Sequence, residues 1–106
     1  MAFSKQHLYE KTDLINSQFH KALSHPARIA ILKQLQLNGA LAVQVIAMEH
    51  PISKEALSGH LKILRNAHLV TFEEKFPYTF YEVNEHNMER ALQLLLGFFS
   101  LFKGKG

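Results

Sequence analysis

The sequence has no cysteine. That removes disulfides, thiolate metal sites and cysteine nucleophiles together, and it suits a reducing cytoplasm. Long hydrophobic runs are missing too. The opening MAFSKQHLYEKTD holds no apolar stretch of the kind a secretory signal needs. The most apolar segment, Ala91 to Phe102, is too short to span a bilayer, and Gln93, Gly97 and Ser100 interrupt it. It reads as a helix buried against something, so the chain is expected to be cytoplasmic, with no membrane partner. Low-complexity tracts, internal repeats and long linkers are absent. So are a Gly-x-Ser-x-Gly elbow, a phosphate-binding glycine loop and paired-carboxylate motifs, which argues against an enzyme. The seven histidines raise the question of a metal, but no two lie three or four residues apart. No single helix therefore offers a chelating pair, and no metal or other cofactor is expected. A site built from His7, His20 or His25 near a subunit interface is the remaining metal alternative.

What is present fits one folded domain. At 106 residues the chain can bury one modest core. With 47% apolar and 20% charged residues it is too hydrophobic for disorder over most of its length. The net charge of +3 and pI near 9.3 are mildly basic, compatible with a nucleic-acid partner without requiring one.

Four places punctuate the chain: Ser24-His25-Pro26, Asn38-Gly39, His50-Pro51-Ile52-Ser53 and Phe76-Pro77. Between them the apolar spacing predicts a first helix over 4–22. Pro26 suits the first turn of a second helix, and Asn38-Gly39 suits its left-handed end. Ala27 to Leu37 is so apolar that this helix is expected at the centre of the core. Leu41 to Glu49 reads as a short third helix, although its β-branched residues also suit a strand. Ser53 caps a fourth helix, in which Leu57, Leu61 and Leu64 form one buried stripe. Lys54, Glu55, Ser58, Gly59, Lys62 and Arg65 occupy much of its opposite face. The period then changes. Two β-branched and aromatic runs around Phe76-Pro77 predict a β-hairpin, and a final helix follows over 85–102. The fold expected is mainly α with a β-hairpin wing, in the order of a winged helix-turn-helix domain.

The stretch SKEALSGHLKILRNAHLVTFEEKFPYTFYEV, from Ser53 to Val83, resembles the core of the ArsR (arsenic-repressor-like) family of regulators. The matching residues are Ser58, His60, Leu61, Lys62, Leu64, Leu69, Val70 and Tyr81. Upstream, ALSHPARIAIL at Ala22 to Leu32 is similar to the family's second-helix motif. The resemblance implies a single domain over 1–106, with the helix-turn-helix at 41–67 and the wing at 69–83. It implies dimerisation through 1–23 and 85–102, and a regulator that binds double-stranded DNA, usually as a repressor. Three departures stand out. Gly59 replaces a residue that is often polar or basic. His68 replaces the glycine at the helix exit. The wing carries Glu73 and Glu74, which repel phosphate, with only Lys75 beside them. The family's cysteine sites are missing. Of its final-helix zinc motif only His86 survives, with Asn84, Gly97 and Ser100 at the other positions.

A major groove admits one helix, so the outer face of the fourth helix is the candidate DNA surface. Lys54 and Ser58 are placed to meet base edges, and Lys62 and Arg65 to meet phosphates. Ser53 presents the helix N-terminus to a phosphate. Glu55 either accepts from a cytosine amino group or complements the helix dipole, with the dipole role favoured. Gly59 lets the backbone approach DNA, and Lys75 is the wing's candidate contact. His60 lies close to the leucine stripe and reads as a hydrogen-bonded structural histidine rather than a base reader.

The final helix has more apolar residues than one small domain can cover. A homodimer is therefore expected, using Leu8, Leu14, Ile15 and Phe19 with Met88, Leu92, Leu95, Phe99 and Phe102. Two such copies would read an inverted-repeat operator. A protein-interaction module on the same fold, with weak or lost DNA binding, is the alternative. For an effector, a small molecule, a partner protein and none at all stay open.

Overall fold

The computed structural model describes residues 8–104. Five helices and three strands follow in the order α1 (Lys11–Ala22), α2 (Pro26–Asn38), β1 (Leu41–Ala42), α3 (Val43–Ala47), α4 (Lys54–Asn66), β2 (Val70–Lys75), β3 (Tyr78–Val83) and α5 (Glu85–Ser100).

Local chemistry explains most boundaries. The His25 ring accepts from the Ala27 N–H at 3.0 Å, and Pro26 opens α2 where its missing N–H costs nothing. Gly39 ends α2 at φ 78° and ψ −157°, a conformation essentially confined to glycine. Ser53 Oγ accepts from the Ala56 N–H at 3.0 Å and starts α4. At the other end His68 adopts φ 60°. Its N–H donates to Arg65 O, and the Leu69 N–H reaches back to Leu64 O, the paired closure of a Schellman motif. Histidine thus performs the turn expected of glycine. Asn84 caps α5 by accepting from the Asn87 N–H at 3.2 Å.

The core lies where the helices meet the sheet. Phe19 and Ala22 of α1, Ile31, Leu32 and Leu35 of α2, and Ile46 of α3 pack on Leu57, Leu61 and Leu64 of α4. Ala67, Leu69, Val70, Tyr81 and Ala91 complete it. The three α4 leucines are the stripe expected from spacing. Burying each contributes about 1.5–3 kcal/mol and fixes which face of α4 points outward.

Several expectations need correction. The hairpin is part of a three-stranded antiparallel sheet of order β1-β3-β2. Leu41 and Ala42, assigned above to a helix, pair with Tyr81 and Phe80 along the free edge of β3. Helix α3 therefore begins only at Val43 and ends at Ala47. Helix α1 begins at Lys11, so 8–10 of the expected first helix precede it, Leu8 among them, while its expected start at Ser4 lies outside the described residues. Helix α5 ends at Ser100, and the chain turns over 101–104. Helix α2 is core on one face only, since Ile29 and Leu37 stay exposed, Leu37 at 85%.

Candidate nucleic-acid interface

Helix α4 is amphipathic because its leucines recur at helical spacing and its polar residues fill the gaps. With Leu57, Leu61 and Leu64 turned inward, Lys54, Ser58 and Lys62 stand exposed at successive i+4 steps along one outer row. Glu55 and Gly59 form a neighbouring exposed pair. Glu55 lies in the first turn, where a carboxylate complements the helix dipole. Gly59 meets nothing: a Cβ built there has no atom within 4 Å. No internal contact demands a glycine at this position.

The row runs beside the sheet. A shallow groove of about 290 Å³ is lined by Ser58, Lys62 and Arg65 on one side and Thr79 and Tyr81 of β3 on the other. Arg65 is half-buried, its guanidinium 4.7 Å above the Phe72 ring. This cation–π contact joins the end of α4 to β2, a bond from helix to wing that spacing did not suggest. A stacked guanidinium still has edge N–H groups for a phosphate.

Lys75 is not brought into this row. It ends β2 near the wing tip, 3.9 Å from a Glu73 carboxylate oxygen and 5.8 Å from the Phe80 ring centre. Both charges of the ion pair are well exposed, so the pair contributes little. Beside it Phe76 is 99% exposed.

Sequence reasoning missed Arg28. It is 7% exposed and holds three elements together. Its Nε donates to Ala22 O at 2.9 Å, and its Nη2 to Lys21 O at 3.2 Å and to Ser24 Oγ at 3.3 Å. Its Nη1 meets His60 Nδ1 at 2.9 Å. The carbonyls at the end of α1 carry the negative end of the helix dipole, which suits a buried cation. The one available signal was a charge set inside an apolar run. His60 is half-buried and hydrogen-bonded, as expected. Burial, then the charges of His25, Arg28 and His50, hold its imidazole below the usual histidine range. Buried Gln34 is bonded to His50 Nε2 at 2.9 Å, which ties the turn before α4 to α2.

The residues expected at a dimer interface divide into groups. Leu8, Leu92, Phe99 and Phe102 are exposed, and so are Leu96, Phe98 and Leu101, which were not singled out. Leu14, Ile15, Met88 and Leu95 are half-buried, with Ile15 and Met88 packed on their own core. Phe19 is 4% exposed, sealed inside its own core, so it has no surface to offer a second copy. Between α2 and α5 lies an apolar groove of about 620 Å³, whose lining includes Leu32, Met88 and Leu92 together with Lys33, Glu85 and Glu89. Among the described residues no three His, Asp or Glu converge as a metal-binding group, and no helix is long and apolar enough to cross a membrane.

Residues 25–71, from the α2 cap to the start of β2, match the family model described as bacterial regulatory protein, arsR family. The chain is 31% identical over 98 residues to the arsenical resistance operon repressor of Bacillus subtilis (strain 168), covering 91% of this chain and 93% of that one. The chain belongs to the ArsR family. A second relative in the same organism, the transcriptional repressor SdpR, is 32% identical over 78 residues, covering 74% of this chain and 86% of that protein. Among solved structures, HlyU from Vibrio cholerae N16961 superposes with a TM-score of 0.69 at 27% identity, covering 87% of this chain and 99% of that one. This ArsR-family chain is a DNA-binding transcription regulator and not an enzyme. In the ArsR-family zinc motif considered above, Asn84 occupies the carboxylate position, and here its side chain caps α5.

Proposed function

We propose that the chain represses transcription in the cytoplasm as a homodimer. Each copy lays α4 in the major groove over one half of an inverted repeat. The exposed row Lys54, Ser58 and Lys62, on a helix braced from behind by three buried leucines, carries this reading. Lys54 and Ser58 meet base edges. Lys62 and the outer edge of Arg65 meet phosphates and set register. Ser53 turns the helix N-terminus toward the backbone. The exposed apolar end of α5 supplies the surface for the second copy.

A second reading, a protein-interaction module with weak DNA binding, draws support from Glu73, Glu74 and Glu82, all exposed on the wing. Fluorescence anisotropy with a labelled mixed-sequence duplex across a salt series separates the two. Phosphate contacts release counterions, so affinity falls steeply as salt rises. Lys62→Ala lowers the salt slope by about one. A flat salt dependence in the native chain favours the interaction module.

A further inference from the structure

We propose that Arg28 and His60 form a proton-sensitive latch that fixes the seat of α4. A guanidinium has only donors and stays charged. At 2.9 Å from Arg28 Nη1, the His60 Nδ1 must therefore be the acceptor. The imidazole is neutral, with its proton on Nε2. Adding a proton at Nδ1 replaces the acceptor with a donor and sets a cation against a buried cation.

Burial is the first thing that resists that proton, and the nearby charges come after it. At the N-cap of α2, His25 stands with its ring centre 4.4 Å from that of His60, its own Nδ1 committed to the Ala27 N–H. Arg28 faces it from the same helix, and His50 acts from the turn before α4. None of these supplies negative charge, and their effect adds to that of burial. A histidine held neutral by the fold contributes stability that is present above its ordinary value of 6.5 and lost as pH falls through the lowered value.

The position matters as much as the chemistry. His60 lies mid-helix, between Gly59 and Leu61, with Ser58 and Lys62 two residues to either side. Through Arg28 it is tied to the carbonyls of Lys21 and Ala22 at the end of α1. Opening the latch frees the outer row to move relative to the dimerising helices. The effect on DNA rests on the proposed function; the latch itself does not.

Three measurements on the whole chain test it between pH 8 and pH 5 at constant ionic strength. They are NMR of the imidazole nitrogens and backbone amides, thermal unfolding, and anisotropy with a labelled mixed-sequence duplex. His60→Asn is the comparison, because its Oδ1 stands where Nδ1 stands and does not titrate. The latch is supported if His60 is the Nε2–H tautomer, titrates below 6.5, and moves the α4 amides as it does so. The native Tm then falls more steeply with acid than that of the variant, and native duplex affinity drops relative to the variant. The two proteins share every other side chain, so the difference between them is the readout. Titration at or above 6.5, α4 amides that follow another histidine, or equal acid slopes in Tm would each overturn the latch. Should His60→Asn fail to fold, the NMR titration of the native chain decides alone. Failure to bind duplex at every pH removes the DNA reading, while the NMR and Tm results still decide the latch.

Discussion

A buried guanidinium without a carboxylate partner is tolerable only when its donors are satisfied, and at Arg28 the carbonyls of α1, Ser24 and His60 satisfy them. Arg28→Ala leaves Ala22 O and His60 Nδ1 without partners. Urea unfolding is expected to show a loss of about 2–4 kcal/mol. Arg28→Lys recovers little of it, since one ammonium cannot span the same fork. Ser53→Ala removes the α4 cap and costs about 1 kcal/mol, whereas Ser53→Asp, measured the same way, keeps most of it. Residues with a local job were legible in the sequence. Ser53 stands just before an apolar-periodic run, and His68 sits at a helix exit where few side chains fit. Arg28 was not, because its partners on α1 and α4 become neighbours only when three helices pack.

At the scale of elements, α4 poses a testable conflict. Gly59 weakens the helix without filling a steric need. Gly59→Ala is therefore expected to raise stability by about 0.5–1 kcal/mol in thermal unfolding. If the backbone at Gly59 approaches DNA closely, duplex affinity falls in that same variant. Stability that rises with affinity unchanged would show that the glycine has no part in binding. The leucine stripe and the hairpin were both legible, since each rests on its own period. Strand β1 was not. Two residues cannot signal a strand by themselves, and Leu41 and Ala42 take that form because β3 offers them a free edge. The link from Arg65 to Phe72 was hidden for the same reason, as it forms only after β2 folds back beside α4.

The whole molecule is less compact than its length implies. Its Cα radius of gyration is 16.1 Å, against about 13 Å for a compact domain of this size. Exposed apolar residues recur along the second half of α5 and just past its end, at Leu92, Leu96, Phe98, Phe99, Leu101 and Phe102, where Phe98 packs edge-on to Phe99 and Phe102. A monomer gains nothing from such a surface. Sedimentation is expected to show a dimer, and Leu92→Glu with Phe99→Glu to give a folded monomer with reduced duplex affinity. The sequence showed that an apolar surplus existed. It did not show which residues carry it, because Phe19 and Phe99 look alike until the core claims one and leaves the other. The central claim, two recognition helices presented to one duplex, is tested most directly by selecting bound sequences from a random duplex pool with the purified chain. The expected result is an inverted repeat with half-site centres about 10–10.5 bp apart, or a multiple of that spacing. A pool that emerges unenriched, or enriched only in single asymmetric sites, would contradict it.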